Sequence, residues 1–192
     1  MTKKQYRQKM SGLRAALSEN DVKAASMKVV ERFFRFLHVD DFHHFLAYLP
    51  INNEVDTRPL ITELMSRQKK VFAPRCDPAR EGCMDYYLIR DFSALKPGYC
   101  GIAEPCPDSS DLFINNGQAL CILPGLAFDR QGYRLGYGLG FFDRYLNSLV
   151  GPKPFLTGFA YNFQVVESLP VDDWDMPVDM VINEYDCIRT RR

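Results

Sequence analysis

A continuous apolar run, ALCILPG at residues 119–125, constrains the fold more than any other stretch of the chain. A short run without polar alternation predicts a strand that is buried on both faces, and such strands belong to parallel sheets covered by helices. Other short segments rich in β-branched and aromatic residues predict further strands: HHFLAYLP (43–50), KKVFAPR (69–75), MDYYLI (84–89), KPFLTGFAY (153–161) and DMVINE (179–184).

Helix signals separate these strands. Thr2 is placed to cap a first helix that runs to about residue 17, and Ser18 with Asp21 forms a capping-box pattern that opens a second helix. Asp56 or Thr57 would cap a third helix over ITELMSRQ, and an apolar stripe over residues 141–149 predicts a fourth. We expect the exposed side of the first helix to carry its basic residues, Lys3, Arg7 and Arg14.

Strands that alternate with helices predict a three-layer α/β/α architecture with an open, mostly parallel sheet. Sugar-phosphate isomerases and CoA-transferase-like enzymes have the same layered architecture. The sequence shows no internal repeat, no low-complexity segment and no linker, so we predict that residues 1–192 form a single domain.

The composition excludes several classes of partner. Twenty-four basic residues balance 24 acidic ones, so no global field would attract nucleic acid or a membrane surface. The six cysteines form no Cys-x-x-Cys pair, which indicates a reducing compartment. The charged N-terminal residues lack the apolar stretch of a secretory signal, and no run approaches the about 18 apolar residues of a membrane span. We expect a cytoplasmic protein.

A glycine-rich segment, RLGYGLG at residues 134–140, follows the most apolar strand and precedes the fourth helix. Alternating glycines let backbone N–H groups approach an anion, and a helix start adds unpaired donors. Arg134 could hold phosphate oxygens in a bidentate grip. The segment lacks the third glycine of a dinucleotide fingerprint and the lysine of a P-loop, so a turn built from glycines is the alternative interpretation.

One acidic residue, Asp143, lies in the first turn of the fourth helix. There it could be only a cap. Beside a bound polyphosphate it would be repelled unless a cation lay between them, and Mg²⁺ bridges carboxylates and phosphate oxygens in this way. A second carboxylate is then expected, and spacing alone does not choose among Asp172, Asp173, Asp175 and Asp179.

Over the same stretch, PGLAFDRQGYRLGYGLGFFDRYL closely resembles the signature of 5-formyltetrahydrofolate cyclo-ligases, also called methenyltetrahydrofolate synthetases. Five further blocks follow the order of that family: Lys3 with Arg7, Tyr48 to Thr57, Pro74-Arg75, Gly101 to Pro105, and Gln164 to Asp179. The resemblance covers nearly the whole chain.

The resemblance implies an ATP- and Mg²⁺-dependent ring closure. In that family the formyl oxygen of 5-formyltetrahydrofolate takes the γ-phosphoryl group of ATP. N10 of the folate then attacks the activated carbon, and phosphate leaves to give 5,10-methenyltetrahydrofolate. An amide-like formyl oxygen is a poor leaving group until it is phosphorylated, and catalysis of such a transfer is mainly positioning and charge neutralisation.

The resemblance also implies roles for individual residues. Arg134 and Asp143 would be catalytic, and Asp143 and Asp175 would be the two carboxylates on the metal side. The folate would contact Leu49, Glu54, Tyr137 and Gly138. The ATP would contact Lys3, Arg7, Arg134, Leu135, Gly136, Tyr137, Gly138, Leu139, Gly140, Phe141 and Phe142. We expect a monomer whose only partners are these small molecules.

The chain departs from the family pattern at four positions. Phe141 and Phe142 stand where tyrosines are usual, Leu139 where glycine or lysine is common, and Trp174 where histidine is frequent. These departures bear on rate and affinity rather than on family identity. Three alternatives stay open: a protein that binds 5-formyltetrahydrofolate without turnover, an enzyme of the sugar-phosphate isomerase or CoA-transferase type, and a relative that acts on another formylated amine.

Overall fold

The computed structural model describes residues 1–106 and 111–190. Its helices are α1 (Lys3–Ala15), α2 (Glu19–Phe36), α3 (Arg58–Ser66) and α4 (Phe141–Ser148). Its strands are β1 (His44–Leu46), β2 (Lys70–Cys76), β3 (Met84–Leu88), β4 (Lys96–Pro97), β5 (Ala103–Glu104), β6 (Ala119–Leu123), β7 (Ala127–Asp129), β8 (Arg134–Leu135), β9 (Phe155–Phe159), β10 (Val165–Val166), β11 (Met180–Ile182) and β12 (Cys187–Arg189).

A seven-stranded sheet in the order β12-β11-β9-β6-β1-β2-β3 forms the middle layer. The five inner strands run parallel. Each outer strand pairs antiparallel with its inner neighbour, β3 with β2 and β12 with β11. Every residue of β6 is buried, as its unbroken apolar run predicts. The prediction of an open, mostly parallel sheet is confirmed.

Helices cover this sheet on both faces. On one face α2 and α3 contribute Phe33 and Leu60 to a core cluster that includes Ile122 of β6. On the other face α4 contributes Tyr145 and Leu146. All five side chains are buried. This arrangement gives the three layers that the alternation of strands and helices predicts.

The chain order of the parallel strands reverses between β1 and β6. From β1 the chain passes to β2 on one side, and it later returns to β6, β9 and β11 on the other side. In open α/β sheets, ligands bind beyond the carboxyl ends of the strands at this reversal. The topology therefore marks the ends of β1 and β6 as the place to look for a site.

The predicted N-cap residues of α1, α2 and α3 are confirmed, but the Thr57 side chain does not cap α3. Thr2 and Ser18 form capping boxes with Gln5 and Asp21. Thr57 is the N-cap residue of α3, but its hydroxyl donates to the Tyr48 carbonyl at 2.6 Å and caps no helix N–H. The first predicted strand, residues 43–50, is shorter than expected: β1 ends at Leu46, and beyond it the Ala47 N–H still donates to the Phe72 carbonyl at 2.9 Å.

A second, three-stranded sheet of β10, β7 and β8 lies outside the sequence prediction. Its last strand, β8, begins the glycine-rich segment. Helix α1 packs on this sheet, where Met10 meets Leu126, Leu135 and Leu169 in a small apolar cluster. The cluster places α1 beside the glycine-rich segment. Within the described residues, no helix combines the length and the apolar character needed to cross a bilayer.

Two glycines test the packing with the same substitution. A Cβ on Gly158 of β9 would lie 2.3 Å from Cε1 of the buried Phe128, whereas a Cβ on Gly12 of α1 would meet no atom within 4 Å. We expect Gly158→Ala to lower the free energy of unfolding by about 1–3 kcal/mol through overpacking. Gly12→Ala should raise it by about 0.5–1 kcal/mol through helix propensity. Urea titrations of both variants measure the sign of each change in the free energy of unfolding. A change of the same sign in both variants would contradict this description of the core.

Candidate functional site

A cavity of about 370 Å³ opens at the carboxyl ends of β1 and β6, where the chain order reverses. Tyr48 and Leu49, which follow β1, and Pro124 and Gly125, which follow β6, form its base. A concave, mostly apolar space of this size with a few polar groups is typical of a small-molecule site. The fold thus places a candidate site where topology predicts one.

The glycine-rich segment and the first turn of α4 form one wall of this cavity. Gly136, Tyr137, Leu139 and Gly140 line it, followed by residues 141–143. Gly140 is the N-cap residue of α4 and has a positive φ of 66°, which favours glycine. The segment therefore reaches the helix start through backbone that a larger residue would strain.

Arg134 and Asp143 form an ion pair at this wall. Nη2 of Arg134 lies 2.9 Å from Oδ1 of Asp143, and Nη1 donates to the Met176 carbonyl at 3.1 Å. The Arg134 side chain is 4% exposed and that of Asp143 is 21% exposed. Both line the cavity. The two residues predicted to be catalytic are thus in direct contact.

Helix α1 contributes two more predicted residues: Arg7 contacts the glycine-rich segment, and Lys3 contacts the turn that carries Asp172 and Asp175. Nε of Arg7 donates to the Gly136 carbonyl at 2.9 Å. Nζ of Lys3 lies 2.7 Å from Oδ2 of Asp172 and 2.8 Å from Oδ2 of Asp175. Burial lowers the pKa of Lys3, but its hydrogen bonds to these two carboxylates outweigh this and the pKa is raised overall.

Asp143 and Asp175 lie on neighbouring segments. The backbone N–H of Met176, the residue after Asp175, donates to Oδ1 of Asp143 at 3.4 Å. Among the described residues, no group of three or more His, Cys, Asp or Glu side chains is arranged to hold a metal ion. Mg²⁺ is often held by one or two carboxylates together with substrate phosphates. Asp143 and Asp175 provide two carboxylates, which is the ligand type and number that such a site uses.

Glu54 lies on the opposite side of the cavity, in a tight turn after β1. The carboxylate is buried, with 6% exposure, and Oε2 accepts a hydrogen bond from the Ile51 N–H at 3.1 Å. Burial raises the pKa of Glu54 to about 7, against the opposing charge of Arg14. The carboxyl group therefore changes charge close to neutral pH.

The prediction that Arg14 lies on the exposed side of α1 is wrong. Its side chain is 2% exposed, and Nη1 lies 3.5 Å from Oε1 of Glu54. The guanidinium is buried because the turn at residues 52–54 and Tyr137 cover it from outside the helix. Helical spacing alone carries no information about such distant partners.

Glu104 and Tyr99 are among the cavity residues for which the sequence predicts no individual role. Oε1 of Glu104 accepts hydrogen bonds from the N–H groups of Cys76 and Tyr99, both at 3.2 Å. The Tyr99 ring packs edge-on against Phe141, with 5.5 Å between ring centroids. Glu104 belongs to the Gly101 to Pro105 block that resembles the family, which is the one sequence signal that pointed to it.

The residues predicted to bind ligands divide into two groups. Ten of them line the cavity: Leu49, Glu54, Arg134, Gly136, Tyr137, Leu139, Gly140, Phe141, Phe142 and Asp143. Lys3 and Arg7 belong to α1, Asp175 pairs with Lys3, and Gly138 lies beside Arg7, because a Cβ on Gly138 would be 3.4 Å from Cζ of Arg7. Leu135 is buried against α1, with 3% exposure. Trp174 is 65% exposed, on the turn that carries Asp172 and Asp175.

Comparison with known proteins identifies the family. Residues 1–184 match the 5-formyltetrahydrofolate cyclo-ligase family. The 5-formyltetrahydrofolate cyclo-ligase of Escherichia coli K12 is 32% identical over 169 residues, which are 88% of this chain and 93% of that protein. The mouse 5-formyltetrahydrofolate cyclo-ligase is 28% identical over 177 residues, which are 88% of this chain and 87% of that protein.

Solved structures agree with the sequence comparison. The 5,10-methenyltetrahydrofolate synthetase of Aquifex aeolicus superimposes with a TM-score of 0.84 and 33% identity, over 100% of this chain and 94% of that one. The synthetase of Mycoplasma pneumoniae gives a TM-score of 0.75 and 25% identity, over 96% and 99% of the two chains. The cavity at the reversal of strand order, the cation-flanked glycine-rich wall and these matches lead to one conclusion: the chain belongs to the 5-formyltetrahydrofolate cyclo-ligase family.

Proposed function

We propose that this protein uses ATP and Mg²⁺ to cyclise 5-formyltetrahydrofolate to 5,10-methenyltetrahydrofolate, with release of ADP and phosphate. One observation carries the assignment of sites. Gly136 lines the apolar cavity, and its carbonyl is held by Arg7 from the side of α1. The glycine-rich segment is therefore a thin wall between an apolar space that suits a pterin and a set of cations that suits a triphosphate.

On the α1 side, the cationic groups of Lys3 and Arg7 would bind the phosphates of ATP. Asp143, which lines the cavity where the glycine-rich segment ends, and Asp175, which pairs with Lys3, would hold Mg²⁺; when bound, it neutralises charge on the phosphate oxygens. Lys3 and Arg134 now pair with these carboxylates, so each cation would turn from a carboxylate to a phosphate as the nucleotide binds.

On the cavity side, the apolar walls would exclude water from the folate. A pterin presents an amidine-like edge, and the Glu54 carboxylate would accept hydrogen bonds from it. Leu49 and Tyr137 would pack beside the ring. Arg134 lines the cavity close to Asp143, where it can neutralise charge on the phosphoryl group that moves to the formyl oxygen. No nucleophilic side chain is needed, since phosphoryl transfer depends on positioning and electrostatics.

A protein that binds 5-formyltetrahydrofolate without turnover is the second candidate. The observation in its favour is that Phe141 and Phe142 line the cavity without the hydroxyl groups of tyrosine. We also propose that the protein is a monomer in the cytoplasm; in the described part of the chain, the free thiols of Cys83 and Cys106 support a reducing compartment.

The direct test mixes the protein with ATP, Mg²⁺ and 5-formyltetrahydrofolate and follows the absorbance of the methenyl product. We expect product to form with all three components and none when ATP is omitted. Binding of the folate without product in the complete mixture would support the second candidate and contradict the first.

Lys3 and Lys4 provide a matched test of the phosphate site. We expect Lys3→Met to raise the KM for ATP by about tenfold, the effect of losing one charged hydrogen bond, with a small change in the KM for the folate. Lys4 is exposed and serves as the control, so Lys4→Met should leave both constants unchanged. A selective rise in the folate KM of Lys3→Met would contradict this placement.

Asp143 and Asp173 provide a matched test of the metal side. We expect Asp143→Asn to lower kcat by at least about a hundredfold, because the carboxylate that faces the phosphates is lost. Asp173 is exposed on the turn that also carries Asp175, and Asp173→Asn should retain full activity. Steady-state rates across a Mg²⁺ titration measure both. Full activity of Asp143→Asn at saturating Mg²⁺ would contradict the proposal that Asp143 binds the metal.

Glu54 should make folate binding depend on pH. Because burial raises its pKa to about 7, the native carboxyl binds a proton that the unfolded chain releases, and this group's contribution to stability falls as the pH rises from about 4.5 to about 7. The charged form accepts hydrogen bonds, so we expect calorimetry to show folate affinity rising through about pH 7. Glu54→Gln should bind more weakly and without this dependence. The same pH profile in both proteins would be inconsistent with this role of Glu54.

A further inference from the structure

Arg14 joins two parts of the site that are far apart in the sequence. Its Nε donates to the Asn52 carbonyl at 2.8 Å, and its Nη2 donates to the Tyr137 hydroxyl. The guanidinium also lies over the Tyr137 ring, 5.5 Å from the centroid. One buried side chain at the end of α1 thus holds both the turn after β1 and the glycine-rich wall.

The turn is anchored to the same helix by its own side chain. Nδ2 of Asn53 donates to the carbonyls of Arg14 at 3.1 Å and Leu17 at 3.2 Å. Asn52 and Asn53 both have positive φ, 47° and 57°, a conformation in which asparagine is enriched. The turn that carries Glu54 is therefore held in a specific shape against α1.

The remaining nitrogen of the guanidinium faces Glu54. Nη1 of Arg14 is buried, has no hydrogen-bond partner and lies 3.5 Å from Oε1 of Glu54. An arginine has five N–H donors and is always charged, so it can compensate a carboxylate while its other donors bind elsewhere. The geometry gives Glu54 one cationic neighbour inside the protein.

We propose that Arg14 is a positioning residue of the folate site, which ties the glycine-rich wall to the Glu54 turn and keeps the Glu54 carboxylate charged and aimed at the cavity. This inference rests on the proposed folate function of that cavity. Arg14 itself is not among the residues that line the cavity, so it acts through Glu54 and Tyr137.

The charged and titratable groups around Glu54 determine how the loss of Arg14 would change the pKa of Glu54. From α1 it faces Arg14, and from the chain after β1 it faces Tyr48, whose pKa is raised by burial and by the Glu54 charge. The other charged groups on the cavity lining are Glu104, Arg134 and Asp143. Of all these, the Arg14 charge is the one that lowers the pKa of Glu54 against the effect of burial. Removing it should move the Glu54 titration to higher pH.

The experiment compares Arg14→Met with Lys9→Met, which removes an exposed cation from the same helix. Calorimetry measures the affinity for 5-formyltetrahydrofolate between pH 6 and 9. In Arg14→Met we expect the midpoint of the pH dependence to move up by at least about one unit and the affinity at pH 7 to fall about tenfold. The KM for ATP should change less than twofold. Lys9→Met should match the wild type.

Two conservative variants separate charge from geometry and serve if Arg14→Met does not fold. Arg14→Lys keeps the positive charge but loses the guanidinium group that donates to both Asn52 and Tyr137. Tyr137→Phe removes the hydroxyl that accepts the hydrogen bond from Arg14. We expect both to weaken folate binding with little shift of the midpoint. Unchanged folate affinity in these two variants, or an unchanged midpoint in a folded Arg14→Met, would overturn the proposal.

A ¹³C NMR titration of the Glu54 carboxyl keeps this test separate from the proposed function. If the wild type neither binds nor converts 5-formyltetrahydrofolate, the proposed function fails, and the titration still reads how Arg14 acts on Glu54. If the wild type is an active ligase and Arg14→Met leaves the Glu54 titration unchanged, only the role of Arg14 fails.

Discussion

Three arginines hold an exposed piece of backbone in place, and the site depends on them. Residues 136–139 are exposed and have few buried neighbours to fix them. Arg7 binds the Gly136 carbonyl, Arg14 binds the Tyr137 hydroxyl, and Arg134 binds Asp143 just beyond the segment. Hydrogen bonds from charged donors are stronger than those between neutral groups. The segment can therefore stay glycine-rich without losing a defined course.

Helix α1 connects the two sides of this wall. Lys3 and Arg7 lie toward the proposed phosphates, and Arg14 lies against the turn of the proposed pterin site. Lys3 and Arg14 lie eleven positions apart along the helix, which corresponds to an axial rise of about 16 Å. The apolar cluster around Met10 fixes the helix between these two residues. A single short helix thus sets the spacing between phosphate contacts and pterin contacts.

The sequence predicts those parts of the fold that depend on local pattern. The run at residues 119–123 identifies a doubly buried strand, and the capping boxes at Thr2 and Ser18 locate two helix starts. The burial of Arg14 depends on Asn52 and Tyr137, which lie 38 and 123 residues away. Helical periodicity describes one helix and not its partners, so it does not predict this burial.

The candidate site also has some parts that local sequence pattern predicts and others that it does not. Glycine spacing points to the segment at residues 134–140, whereas only the family resemblance selects Asp175 among four aspartates. Local pattern also does not reveal that Leu135 faces α1 while Leu139 faces the cavity, because Leu135 packs against Met10, which lies far away in the sequence on helix α1.

A crystal structure of the protein with Mg²⁺, a non-hydrolysable ATP analogue and 5-formyltetrahydrofolate would test the central claim most directly. The account predicts the triphosphate on the α1 side of residues 136–140, with Lys3 and Arg7 on its oxygens, and the pterin in the cavity against Glu54. A triphosphate bound elsewhere, with the amides of residues 136–140 turned away from it, would contradict the account.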